Sequence, residues 1–444
     1  MSELERALFE ARRRAGSDAA AVAVGGRVDI DPEDTPVPPG SRWTFWDTRA
    51  RADLPPEVTL GLGHAFSVRA RGPERLVEAR ARLASVMAAI EAVGPARVRA
   101  FGGLAFEPEA PGPFAGFGDL ELVIPRWTLT RVASHTRATL VVTPRELAEP
   151  EALVAELRSL ARGRARRSAG SARWADDGRA RFLEAARRAV TAIEASELDK
   201  VVVVRRARLD GRLDARGVLD ALAHEAGAIR FAASDGRSTF VGATPELLVS
   251  WDGATVKSEA VAGTSRRELD PGELVRSAKD RLEHQYVVRA ISEAFGRARV
   301  ELDAVSEPEI RSLRHVHHLV TPLSGRMRDE RHVLELVSAL HPTPAVLGVP
   351  ADAARAFLSR AERFERGWFA APFGWVDSKG HGSFVVALRS ALIDDAQAWL
   401  FAGSGIVRGS DPEAELGETE AKLRTLLATF RVGAAAHPAS ESAP

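Results

Sequence analysis

Lysine is scarce in this chain and sits where chemistry could use it. Of 61 Lys+Arg residues among 444, five are lysines (Lys200, Lys257, Lys279, Lys379 and Lys422), and none precedes position 200. A guanidinium does not surrender its proton near neutral pH, whereas a buried ammonium can, so each retained Lys is a candidate base or anion ligand. Carboxylates also fall where they are costly. Glu283 shares a helical face with Val287, Ala290, Ile291 and Ala294. Nearer the C-terminus, Glu415, Glu418 and Lys422 line one face beside Leu416, Leu423 and Leu427. A buried carboxylate needs a partner, either an Arg or a metal. Three glutamates converging from two helices would offer oxygen-only ligands, which suit Mg2+; pairing with surface Arg is the alternative.

Other segments suggest an anion grip. Gly403-Ser404-Gly405-Ile406-Val407-Arg408-Gly409 lies between a strand and the last helix, and as a loop it would present backbone N–H groups to an anion. It matches neither a dinucleotide fingerprint nor a P-loop. Arg389, closing Val385-Val386-Ala387-Leu388-Arg389, is of the type that holds a carboxylate bidentately. His315 and His317 share a face of an extended segment, but no third ligand stands at metal spacing.

These residues need a scaffold, and the composition supplies one. Hydrophobic residues make up 45% and charged residues 27%, enough apolar surface for a large core. The zero net charge calls for no polyanionic partner, so nucleic acid is not expected. The absence of Cys removes disulfides, thiolate zinc sites and cysteine nucleophiles. No apolar run approaches a membrane span and the first residues lack a signal-peptide core, so a cytoplasmic protein with no membrane partner is expected. Periodicity predicts helices over 4–13, 74–93, 179–194, 280–295 and 414–430. It predicts strand or strand-turn segments over 44–49, 58–69 and 97–107, and strands over 120–125, 138–143, 200–205, 229–233, 238–242, 246–251, 383–393 and 398–402. Residues 158–178, rich in Arg (Arg162, Arg164, Arg166, Arg167), Gly and Ser, read as a linker. The organisation expected is one large α+β unit: 1–178 its N-terminal part with the linker, 179–432 the catalytic region, and 433–444 a disordered tail.

Eight segments occur together in an order that resembles the chorismate-utilising enzymes, which comprise isochorismate, salicylate, anthranilate and aminodeoxychorismate synthases. They are Lys200-Val-Val-Val-Val-Arg205, Ala243-Thr-Pro-Glu-Leu-Leu248, Val261-Ala-Gly-Thr-Ser-Arg-Arg267 and Lys279-Asp-Arg-Leu-Glu-His284. His318-Leu-Val-Thr-Pro322, Leu340-His-Pro-Thr-Pro-Ala345, Phe401-Ala-Gly-Ser-Gly-Ile-Val407 and Glu415-x-x-Glu418-x-x-x-Lys422 follow. The resemblance covers residues 180 to 430, and Phe101-Gly-Gly-Leu-Ala-Phe106 and Phe117-Gly-Asp extend it weakly toward the N-terminus. It implies a mixed α/β fold of two face-to-face antiparallel sheets flanked by helices. It further implies that Glu283, Glu415 and Glu418 bind Mg2+, and that Lys200 and Glu246 are general base and general acid. Arg389 with the Gly403, Ser404 and Gly405 backbone resembles a clamp on the enolpyruvyl carboxylate of chorismate, and Leu388 and Phe401 look like pocket walls. His318, Val320, Ala262, Gly263, Thr264 and Lys422 are carried over as further substrate contacts.

Within that family the residues favour hydroxyl transfer. Isochorismate forms when water attacks C2 and the C4 hydroxyl leaves, which needs a base and an acid. The anthranilate type places Gln where this chain has Lys200, and the aminodeoxychorismate type places Lys where Ala262 stands. Neither amination reading, nor a glutaminase subunit, is therefore expected. Val320 is aliphatic, as is usual in enzymes that stop at isochorismate, and Gly367-Trp-Phe-Ala-Ala-Pro-Phe-Gly-Trp375 resembles the menaquinone-pathway enzymes. The expectation is a monomeric, Mg2+-dependent isochorismate synthase for menaquinone, with chorismate as its small-molecule substrate. A salicylate synthase or siderophore-pathway enzyme is the alternative, and a non-catalytic binding protein the remote one.

Overall fold

The β-branched run after Lys200 passes into alternating apolar and polar residues, and the computed structural model carries a 14-residue strand there. Residues 2–109, 112–161, 167–329 and 331–432 are described. In chain order, the first site-forming elements are β1 (Trp43–Asp47), β2 (Arg99–Leu104), α1 (Arg179–Glu194), β3 (Lys200–Leu213), β4 (Ile229–Ser234), β5 (Thr239–Thr244), β6 (Leu247–Trp251) and β7 (Thr255–Arg266). They continue as α2 (Ala278–Arg297), β8 (Val316–Met327), β9 (Pro372–Asp377), β10 (Gly382–Val386), β11 (Ser390–Ile393), β12 (Gln397–Val407) and α3 (Pro412–Leu427). The helix starts follow from local chemistry. Ser277 caps α2 by accepting from the Asp280 N–H, and Asp411 caps α3 by accepting from Ala414, with Pro412 in its first turn.

Among the described residues the strands form a 14-stranded and a 10-stranded sheet. β3, β12, β11, β5, β4 and β1 neighbour one another in the larger; β8, β7, β6, β10, β9 and β2 do so in the smaller. Pairing is antiparallel except where Ala21–Val28 meets Ile90–Val93 and Gly170–Asp176 meets Arg431–Val432. The sheets face each other across one continuous apolar core. Phe373 of the smaller sheet lies 5.0 Å from Phe231 and 6.5 Å from Trp46 of the larger, centroid to centroid. A second core lies behind the larger sheet, under the helices Glu3–Ala11 and Pro150–Leu160. α2 packs on β7 and α3 on β12. N-terminal strands enter both sheets, β1 beside β4 and β2 beside β9, so 1–178 and 179–432 share one core. Among the described residues no helix is long and apolar enough to cross a membrane.

Several sequence expectations need correction. The supposed linker contains the end of the helix Pro150–Leu160 and the strand Gly170–Asp176, which pairs with β3; its Gly and Ser content hid the alternation of Ala172 and Trp174. Arg162, Arg164 and Arg166 lie outside the described residues, while Arg167 donates to Glu33 O and Thr35 O. The strand or strand-turn segment over 58–69 takes the second form, as the strands Glu57–Leu62 and Phe66–Ala70, whereas the helix over 74–93 ends at Ala88, before the strand Ile90–Val93. The strand expected over 383–393 is also two, β10 and β11, in different sheets. The Gly403–Gly409 segment is strand as far as Val407, because β3 pairs with it throughout. The tail, 433–444, lies outside the described residues.

Because both halves share the interlayer core, Phe373→Ala should lower global stability by roughly 3–5 kcal/mol. Denaturant titration followed by two probes should still show one coincident transition; two separate transitions would refute a shared core.

Candidate active site

Two of the chain's passages between the sheets, at Thr244–Leu247 and at Val386–Ser390, each carry a predicted site residue. The two are stitched together. Thr244 Oγ1 donates to Val386 O at 2.7 Å, Val386 N–H to Glu246 O at 3.2 Å, and Ala243 N–H to Arg389 O at 3.2 Å. Glu246 and Arg389 thereby share one rigid support. Arg389 adopts φ 49°, a left-handed conformation unusual for a side chain with a Cβ, which locates backbone strain at the site. Its Nη2 donates to His318 Nε2 at 2.9 Å. Arg can only donate, so Nε2 accepts, and His318 Nδ1 carries the proton toward Thr264 Oγ1 at 3.0 Å. Gly263, at φ 79°, is the extra residue of a bulge between Ala262 and Thr264, and this turns Thr264 toward His318.

The larger sheet and two helices contribute alternating charges. Lys200, at the head of β3 and 0% exposed, lies 2.9 Å from Glu283 Oε1 of α2, an ion pair too poorly aligned for a regular hydrogen bond. Lys279 Nζ contacts Glu415 Oε1 at 2.6 Å, and Ser404 Oγ donates to Glu415 Oε2 at 2.5 Å. Lys422 Nζ donates to Glu418 Oε1 at 2.6 Å and to Gly403 O at 2.9 Å. The backbone of β12 adds donors. Val202 and Val204 turn their N–H groups away from β12, to Leu347 O and Glu362 Oε1. The exchanged ladder bonds therefore fall at Val203 with Ser404 and Arg205 with Ala402. Gly403 and Gly405 consequently face the other edge, which β11 leaves open beyond its pairing of Ala391 with Leu400. The anion-directed amides expected of a loop are supplied by an unpaired strand edge.

These groups surround a cavity whose interior holds about 80 Å³ of space for water-sized molecules. Glu246, Arg389, His318, Glu283, Glu418 and Lys422 line it, as do Ala262, Gly263, Thr264, Leu388, Phe401, Gly403 and Gly405. Phe369 stacks on Phe401 at 5.0 Å. Four predicted site residues stand behind this wall. Lys200 is covered by Glu283 and Gly405, Glu415 and Ser404 bond each other, and Val320 is fully buried opposite Val261. As a direct substrate contact Val320 is therefore corrected to a packing residue, and the Ser404 side chain to a ligand of Glu415. The His315/His317 face carries no metal pair, since the His317 ring bonds Ser312 Oγ at 2.8 Å.

The electrostatics separate the carboxylates. Burial above all, then the Glu259 carboxylate, push Glu246 up to about 8 against the pull of Lys200 and Lys422. Burial opposes ionisation of Glu283, but Lys200, with Lys422 and Lys279, outweighs it and holds that carboxyl below its ordinary range. Burial raises Glu418; Lys422 opposes this, and the charges of Glu415 and Glu283 add to it. Burial brings Arg389 down to about 10, and burial with Arg389 beside it keeps His318 neutral.

The donor set suits a hard divalent cation, and the mutual repulsion felt at Glu418 shows that the three carboxylates approach one another. The present rotamers give their oxygens to lysines, and among the described residues no group of three acidic or His side chains is gathered closely enough to hold a metal. A cation at Glu283, Glu415 and Glu418 therefore requires those ion pairs to loosen.

Sequence reasoning missed Arg366. It lines the cavity, pairs with Glu362 at 2.5 Å, and donates to Val346 O and Val202 O at 2.7 and 2.8 Å. With Glu362 it substitutes for a strand partner along the outer edge of β3. Its only signal is the i,i+4 spacing in Glu362-Arg-Phe-Glu-Arg366, which looks like an ordinary surface pair. His284, bonded to Thr321 Oγ1 at 2.8 Å and close to Ala262 O, was likewise passed over beside Glu283.

A two-sheet α/β layer with a buried carboxyl, a buried Arg and lysine-paired carboxylates around one cavity between the sheets has the make-up of a small-molecule enzyme site. Residues 37–431 match the family model described as chorismate binding enzyme, and the chain belongs to that family. It is 35% identical over 435 residues to the salicylate biosynthesis isochorismate synthase of Pseudomonas aeruginosa, covering 91% of this chain and 89% of the relative. It is 38% identical over 259 residues to isochorismate synthase MenF of Bacillus subtilis, covering 56% and 55%. The fold matches that of MenF, the menaquinone-specific isochorismate synthase from Escherichia coli, with a TM-score of 0.76 and 24% identity over 96% of this chain and 100% of that one.

A Cβ on Gly405 would lie 2.2 Å from Glu283 Oε1 and 3.2 Å from Lys200 Cε. Gly405→Ala should therefore destabilise by roughly 1–3 kcal/mol through overpacking. Gly296→Ala, on α2 with nothing within 4 Å, should be neutral or stabilising in the same urea titration.

Proposed function

We propose that this protein is an isochorismate synthase that converts chorismate to isochorismate with Mg2+. The observation that carries the reading is Glu246, a cavity-lining carboxyl that holds its proton near neutral pH, set with Lys200 on a different sheet and Arg389 on the adjoining passage. Arg389 and the open-edge N–H groups of Gly403 and Gly405 receive the enolpyruvyl carboxylate. Lys200 takes the proton from the water that attacks C2, and Glu246 gives its proton to the C4 hydroxyl as it departs as water. One water enters and one leaves, so the step is an isomerisation. Nζ of Lys200 is now covered by Glu283, so the reactive arrangement has that carboxylate turned away. Mg2+, held by Glu283, Glu415 and Glu418, would supply neutralisation of the ring carboxylate.

The menaquinone branch is proposed as the destination on the Gly367–Trp375 segment, with the B. subtilis relative in support. The P. aeruginosa relative, named for salicylate biosynthesis, favours a second reading. Deleting the gene in its own host separates the two: menaquinone should be lost, whereas loss of salicylate with menaquinone retained would favour the second.

Purified protein with chorismate and Mg2+ should form isochorismate without pyruvate, as judged by product mass; stoichiometric pyruvate would reassign it as a salicylate synthase. Lys200→Ala should abolish turnover and leave chorismate binding by calorimetry largely intact, whereas Glu418→Gln should weaken the Mg2+ dependence. Glu246 must be protonated to act. With its carboxyl raised to about 8, kcat/KM should hold below that pH and fall as pH rises through it. A profile flat from pH 6 to 10 would remove Glu246 as the acid.

A further inference from the structure

Arg51 lies far in sequence from every motif that builds the site, yet its side chain is 2% exposed and reaches the acid's own segment. Its Nη1 donates to Pro245 O at 2.8 Å, its Nη2 to Glu259 Oε1 at 2.7 Å, and its Nε to Asp53 Oδ1 at 2.8 Å. From the opposite side Arg311 donates through Nη1 to the same Pro245 O at 3.0 Å and pairs with Glu259 Oε1 at 2.5 Å. Glu259 Oε2 in turn accepts from the Leu247 N–H at 3.3 Å. The residues on either side of Glu246 are thus held by one buried carboxylate and two guanidinium groups. A single ammonium could not reproduce the fork of Arg51 over three acceptors.

We propose that Arg51, Arg311 and Glu259 form a positioning unit for Glu246, fixing the passage that aims its carboxyl into the cavity and presenting a fixed negative charge beside it. This inference rests on the reading of Glu246 as the general acid. Two physical consequences follow from the arrangement. Clamping Pro245 O and Leu247 N removes the freedom of the Thr244–Leu247 passage, so the carboxyl is held in place through its backbone. The Glu259 charge disfavours a second charge nearby, and it is the largest charge effect acting on Glu246. Lys200, Lys422 and Arg311 act the other way, and Glu283, Glu418, His318, Arg366 and Arg389 are the remaining titratable or charged groups lining the same cavity. Asp53 completes the balance, so that two carboxylates face two arginines and the unit adds no net charge to the core.

The test is Glu259→Gln, which keeps shape and removes the charge. In infrared difference spectra of the full-length protein, the protonated-carboxyl band that is absent from Glu246→Gln should titrate about one pH unit lower in Glu259→Gln than in the wild type. The high-pH limb of kcat/KM should move with it while KM for chorismate stays near its wild-type value. A band titrating at the wild-type pH would overturn the proposal, whatever happens to thermal stability. Arg51→Lys, which keeps the charge but not the fork, serves if Glu259→Gln does not fold: kcat should fall on the order of tenfold or more at unchanged KM. Wild-type kcat in that variant would equally overturn it. A shifted band in a protein that makes no isochorismate would sink the proposed reaction and leave the positioning unit standing.

Discussion

Charge placed between two apolar sheets has to be neutralised where it stands, and this constraint orders the site. Removing a carboxylate or an ammonium from water costs several kcal/mol even after relaxation. The structure meets that cost pairwise: Lys200 with Glu283, Lys279 with Glu415, and Lys422 with Glu418. Lys200–Glu283 ties β3 to α2, Lys279–Glu415 ties α2 to α3, and Lys422, paired within α3, also reaches Gly403 O of β12. Glu246 is the exception. It has Glu259 rather than an ammonium as its dominant charged neighbour, and it meets the constraint by keeping its proton. Pairing and protonation are two answers to the same desolvation cost, and the difference between them separates Glu283, Glu415 and Glu418 from Glu246.

The second organising feature is where the chain changes sheets. Strand interiors offer rigid backbone but bind their own polar groups into ladders, whereas a crossing frees backbone and side chains to face the interlayer space. Here two of the crossings lie side by side and hydrogen-bond each other, so residues 246 and 389 occupy fixed positions without a long loop. The open edge of β12 extends the same principle, because β11 stops short of Gly403 and Gly405 and leaves their amides available. Strain at Arg389 is tolerated because its guanidinium is held by His318 and its carbonyl by Ala243.

Legibility from sequence varied with the range of the interaction. The helices over 179–194 and 280–295 were readable because their apolar spacing is local, and the strand opening at Lys200 because β-branched residues cluster there. The strand Gly170–Asp176 was unreadable because its pairing partner β3 lies further along the chain while its own composition is that of a loop. Arg51, Arg311 and Arg366 were invisible for a related reason. Among 56 arginines nothing local distinguishes three that are buried by contacts distant in sequence.

By itself the sequence determined which chemistries were possible. Residue types and the ordered motifs that resemble the family supplied candidates for a base, an acid, an anion clamp and three metal-binding carboxylates, because proton affinity and hydrogen-bonding capacity belong to the side chains themselves. Only the tertiary structure decided which carboxyl keeps its proton, which lysine lies covered by a glutamate, and that the glycine segment donates from an open strand edge. Those outcomes depend on desolvation and on neighbours brought together across two sheets, and neither quantity exists along an extended chain.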